Sequence, residues 1–135
     1  MANIQLQRGQ NQQIDVTFKN PAGSVIDLDP DTITYDAELV IRQKEKNKFA
    51  GAVVDVLRHG TSSPARPDAD GRITFASTAP NISLKWSTAQ ANLLPNLSQT
   101  IAGDLKITQT SAGDFQNEVV HHINLKFDII PEIIE

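Results

Sequence analysis

The sequence predicts an all-β protein, an antiparallel sandwich of about seven or eight short strands with one short helix near residues 87–94. Three observations lead there. Short segments throughout the chain alternate apolar and polar residues, which puts one face of each on a core and the other in water. Turn chemistry rich in Gly, Pro, Asn and Asp separates them. Helical periodicity with a start signal occurs at a single place.

That place follows the best-defined hairpin. Ile73 and Phe75 alternate with small or polar residues, and so do Ile82, Leu84 and Trp86, with Ser83 and Lys85 between them. Ser87 comes next, with Gln90 three positions on. This is capping-box spacing, in which each side chain satisfies a backbone donor left free at a helix start. Leu93 and Leu94 supply an apolar side, and Pro95 stops the helix.

The other elements follow in order. Ile4 and Leu6 make a short first strand, ended by Arg8-Gly9. Gln12 to Lys19 alternates, with Ile14, Val16 and Phe18 inward. Asn20-Pro21-Ala22-Gly23 turns, Val25 to Leu28 is extended, and Asp29-Pro30-Asp31 turns again. Ile33 to Arg42 is a strand with Tyr35, Ala37, Leu39 and Ile41 on one face. Lys44 to Lys48 is a solvated hairpin tip that leads through Gly51 to a strand at Val53 to Leu57. His59 to Arg72 is polar and without apolar period, and reads as a long surface loop. Thr100 to Thr110 is a strand through Ile101, Leu105 and Ile107, and Ser111 to Asp114 closes a hairpin. In the last strand Val119, His121, Ile123, Leu125, Phe127 and Ile129 share one face.

At 135 residues the chain is expected to form a single domain with a core that needs no staples. It has no cysteine, which excludes disulfides and thiolate chemistry. No run is long enough to cross a membrane, and the start lacks the pattern of a secretory signal. A formal charge of −4 argues against nucleic acid as the main partner.

Candidate chemistry is sparse. Asp27, Asp29, Asp31 and Glu38 have the spacing of calcium-loop ligands, but Thr32 stands where that loop needs Gly and no helices flank it. His121 and His122 are strand neighbours and point to opposite faces, so they do not share an ion. His59 reads as a turn residue. No Ser sits in a nucleophile elbow, and no glycine loop cradles phosphate. No catalytic, metal or cofactor site is expected. The C-terminus poses another question: Ile129, Ile130, Ile133 and Ile134 fall within the last seven residues. Left exposed they would be adhesive, so residues 129–135 are a candidate partner-contacting arm. Ile4 and Leu6 at the other terminus join them as candidate contacts.

The order of motifs resembles a known group. Arg8-Gly9 opens a strand, Asn20 to Gly23 turns, and Val25-Ile26-Asp27-Leu28 follows. A strand ends at Val40-Ile41-Arg42. Later come Gly71-x-Ile73, Ile82-x-Leu84-x-Trp86-Ser87, the short helix, and Gly103-Asp104-Leu105-Lys106-Ile107. This resembles the small immunoglobulin-like tail proteins of tailed bacteriophages and prophages, in particular the N-terminal domain of baseplate upper proteins. Gly103 stands where that family has an aromatic residue. The resemblance implies an immunoglobulin-like sandwich and a structural virion protein of tail, baseplate or neck, made in the bacterial host cytoplasm. It implies no catalysis, a homo-oligomer in the particle, and contacts with other virion proteins. The competing expectation is a carbohydrate-binding or adhesin-type module. One Trp, one Tyr and five Phe, most of them placed inward, leave few platforms for a sugar ring.

Overall fold

The computed structural model describes residues 3–60, 64 and 70–132. The strands are β1 (Ile4–Gln7), β2 (Gln12–Val16), β3 (Tyr35–Gln43), β4 (Val53–Arg58), β5 (Ile73–Phe75), β6 (Ile82–Trp86), β7 (Thr100–Gln109) and β8 (Val119–Ile130), and helix α1 (Thr88–Ala91) lies between β6 and β7. Five strands form one sheet in the order β1-β8-β7-β3-β4, and three form the other in the order β2-β6-β5. Every pairing is antiparallel except β1 with β8, where Ile4 to Gln7 run parallel to Phe127 to Ile130. In the lettering of immunoglobulin-like sandwiches, strands C′, C, F and G face strands B, E and D.

The core lies between the sheets and is made by the alternation. Leu39 and Ile41 of β3, Ile101, Leu105 and Ile107 of β7 and Phe127 of β8 are fully buried. They meet Ile73, Ile82, Leu84 and Trp86 of the smaller sheet. The Trp86 and Phe127 rings meet edge to face at 6.0 Å. Gly103 is the inward position of β7 that must stay empty. A Cβ there would come 2.9 Å from Leu39 Cδ1 and press on the Val40 carbonyl.

The predicted elements are present with four adjustments. The second strand ends at Val16, and Lys19 forms an isolated bridge with Val25 instead of continuing the ladder. The third begins at Tyr35, although Thr34 still bonds to Thr110 in the same register, hydroxyl to hydroxyl at 2.7 Å and through its carbonyl to the Thr110 N–H. The β7–β8 connection spans residues 110–118, longer than a four-residue turn. It is closed by Gln109 N–H to Glu118 O at 3.1 Å and by Asn117 N–H, at positive φ, to Gln109 O. The register between β7 and β8 shifts where Ile107 faces His121 and Thr108 faces Val119. This bulge takes Val119 off the inward face to which strict alternation assigns it, and its side chain is exposed. Most of the His59 to Arg72 loop lies outside the described residues.

Helix α1 carries the predicted capping box: the Ser87 Oγ accepts from Gln90 N–H and the Gln90 Oε1 accepts from Ser87 N–H. Regular helix ends at Ala91. Arg8 then takes the exposed carbonyls, its Nε donating to Leu94 O at 2.8 Å and its Nη2 to Asn92 O at 3.0 Å. A cation at a helix C-terminus also answers the helix dipole.

Candidate functional site

The candidate contacts at the termini are mostly internal. Leu6 and Ile129 are buried in the chain's own core, and Ile4 is half-buried against it. Ile130 accepts from Arg8 N–H through its carbonyl and lies half-buried in the β1–β8 ladder. Leu6 and Ile129 are therefore core residues rather than surface contacts, because the parallel β1–β8 pairing folds both termini onto the sandwich. The chain stays tied as far as Glu132. Its N–H donates to Asn96 Oδ1 at 2.9 Å and its carboxylate pairs with Arg8. Ile133 and Ile134 lie outside the described residues.

The histidines sit apart. His121 points inward, edge-on to Phe18 at 5.2 Å and tilted to Tyr35, and burial lowers its pKa. His59 stacks on Phe75 at 4.5 Å. Burial lowers its pKa too, with Asp29 pulling weakly the other way. His122 lies on the outer face, 3.4 Å from Asp104. The acidic run is a turn device. The Asp27 carboxylate accepts from Asp29 N–H at 2.8 Å, an Asx-turn. Glu38 instead faces out from β3 and pairs with Arg58 at 3.0 Å. Among the described residues no three His, Asp or Glu side chains converge as metal ligands.

A densely connected polar group, Asp55, was not singled out by sequence reading. Asp55 on edge strand β4 points between the sheets and receives both Arg72 Nη1 and Nη2, at 2.9 and 2.6 Å. Trp86 Nε1 donates to the same carboxylate at 2.9 Å, and the guanidinium lies 5.7 Å from the Trp86 ring centre. Arg72 also donates to the carbonyls of Lys85 and Val56. With four of the five guanidinium N–H groups directed at protein acceptors, the network is a lock between the sheets. A lone Asp inside the apolar run Val53 to Leu57 was its one signal in the sequence; the β3–β4 bulge that turns it inward is visible only in the structure.

Three surface hollows remain among the described residues; the smallest, about 150 Å³, lies beside His59 and Phe75, and the other two are larger. One, of about 280 Å³, lies on the outer face of the five-stranded sheet, where Ala102 is the small residue between Arg42 and Lys126. Glu38, Arg42, Asp104, Lys106 and Asn124 line it with Phe49, whose ring lies 5.7 Å from Lys126 Nζ. The other, about 620 Å³ and mainly apolar, runs between β8 and β2, lined by Ile4, Val16, Phe18, Ile123 and Leu125 among others. It opens where β1 stops, since β1 pairs only with Phe127 to Ile130 and the described residues place no strand on that edge of β8 from Val119 to Lys126.

Compared with family models, with curated proteins and with solved structures, the chain gives no match.

Proposed function

We propose that this chain is a non-catalytic structural protein of a tailed-phage particle, acting through protein–protein contacts in the tail, baseplate or neck. The observation that carries the reading is the sheet order. The motif resemblance implies an immunoglobulin-like sandwich, and the chain folds with strands C′-C-F-G against B-E-D. The Asp55–Arg72–Trp86 cluster adds support, since it locks the two sheets together. Gradient-purified particles from the host strain, digested and sequenced by mass spectrometry, test it. Peptides of this chain that stay with the particles through a salt wash are expected, and their absence from particles made by a strain that expresses the chain overturns the reading.

A second reading, a carbohydrate-binding module, has one observation in its favour: the Phe49 ring beside a hollow with carboxylate, guanidinium and amide groups at its walls. A sugar can stack on a ring and bond to such groups. A glycan array with the wild-type chain and Phe49→Ala separates the two, because only the carbohydrate reading expects hits that the substitution abolishes.

A further inference from the structure

The two ends of the sandwich are unlike. At the helix end lie α1, the segment leading to Thr100, and the β3–β4 tip beyond the Gln43–Ile101 pair. Leu93 and Leu97 are 79% and 64% exposed there. Arg8 and Glu132 pair with each other, which leaves Lys44, Lys46 and Lys48 against Glu45. At the opposite end the connections 17–34 and 110–118 come together, tied by Thr34 to Thr110 and by Thr34 N–H to Ser111 Oγ. Phe115 and Val119 are 58% and 54% exposed there. Those two connections carry Asp27, Asp29, Asp31, Asp114 and Glu118 against Lys19 alone.

Among the described residues, each end therefore carries two strongly exposed apolar side chains, and the connections named at the two ends carry charge of opposite sign. Isolated exposed apolar residues need no explanation, but pairs at both poles of one axis, on ends whose connections carry complementary charge, match each other. We propose that the chain binds a second copy of itself head to tail, the Leu93–Leu97 end of one copy on the Phe115–Val119 end of the next. Like ends repel in this arrangement, so a two-fold dimer through either end is disfavoured. A heterologous contact repeats, giving a ring where the rotation closes and a filament where it does not. The inference names a partner for the structural role proposed above and rests on that reading for its setting.

Light scattering on the purified full chain, with variants of each end, tests it. Mass is expected to rise with concentration at low salt and fall back at high salt, because screening weakens the attraction between the ends. Leu93→Glu with Leu97→Glu disables one end, and Phe115→Lys with Val119→Lys disables the other. Each double variant alone is expected to be a monomer, while an equal mixture of the two forms 1:1 dimers and nothing larger. All four positions are exposed, and unchanged circular dichroism confirms folding. Should a charged pair disturb the fold, Leu93→Ser with Leu97→Ser replaces it. A wild-type chain that is monomeric at low salt, a disabled chain that assembles as its parent does, or a mixture that stays monomeric overturns the inference. Particle association with no self-association retains the virion reading and rejects this contact. Self-association without particle association does the reverse.

Discussion

The two long sides of the sandwich are closed by different chemistry. On the β4–β5 side an inward Asp55 bridges to Arg72 and Trp86, with the Arg72 side chain only 8% exposed. On the β8–β2 side the sheets are joined without charge, by the Gln12 side chain, whose Oε1 accepts from Gln7 N–H at 3.0 Å and whose Nε2 donates to Gln7 O at 2.6 Å. Half-buried Val16, Phe18 and Ile123 line an open groove there, and the edge of β8 is unpaired over its first two-thirds. Both sides face the problem of an edge strand. The first solves it with an inward charge, one of the devices that make an edge a poor template for another strand. The second relies on a bulge at Val119 and on Lys126, whose amine is drawn toward Phe49. One seam is thus specified by a buried ion pair and its hydrogen bonds, and the other by apolar contact with an uncharged amide bridge at its Gln7–Gln12 end.

The largest expected effect breaks the first seam. Asp55→Ala leaves a buried guanidinium without its anion, and losing one partner of such a pair costs about 3–5 kcal/mol. Arg72→Ala strands the carboxylate and the Trp86 donor instead. Because both remove the same contact, the double variant is expected to cost clearly less than the sum of the two. Urea unfolding midpoints with unchanged slope measure all three. Single costs under about 1 kcal/mol would mean that the seam is held by packing like its opposite.

Truncation in the second seam is the next test. Leu84→Ala in the closed core is expected to cost about 2–5 kcal/mol, since a cavity remains that the packing cannot fill. Leu125→Ala beside the groove is expected to cost about 1–2 kcal/mol, because water reaches the space and the side chain contributes mainly its transfer from water. Equal costs at the two positions would erase the distinction. Hydrogen exchange sharpens it without mutation. Ile129 N–H donates toward β7, to Gln99 O, and Ile130 O faces β1, so even-numbered residues of β8 direct their backbone groups to the open side. Amides of His122, Asn124 and Lys126 are expected to exchange faster than those of Ile123 and Leu125.

Sequence alone read the strands well because a sandwich strand announces itself by period two. Ile82, Leu84 and Trp86 are inward as predicted, and the Ser87–Gln90 box starts the helix. It misplaced Val119, since a bulge changes phase without changing composition. It offered Leu6 and Ile129 as candidate partner contacts because periodicity gives faces and not neighbours. Only the parallel pairing of β1 with β8 shows that each terminus covers the other. The Asp55–Arg72–Trp86 lock joins residues far apart in sequence, which no local pattern connects. The charge contrast between the ends was present in the sequence as two short runs, Lys44–Lys48 and Asp27–Asp31, but their placement at opposite poles needed the register of β3 with β7.

The smallest expected effect is a pH dependence with one contributor on each seam. His59 lies at the β4–β5 side, where it bridges to Ile73, and His121 lies beside the groove against Phe18. Burial lowers both pKa values. Below the unfolded value of about 6.5, the unfolded chain binds protons that the folded chain resists. The contribution is therefore complete above that pH and is lost as pH falls through the lowered folded values. Asp15 and Asp128, also lowered, by hydrogen bonds from Gln13 and Ser83 and from Thr100 and Asn3, withdraw their share only below about pH 4. The two windows separate on a titration of urea midpoints. His59→Gln and His121→Gln are each expected to flatten the fall between about pH 7 and about pH 5, and their effects should add, since the two rings share no partner. A fall that persists undiminished in the double variant would assign it to other groups and leave both rings as packing alone.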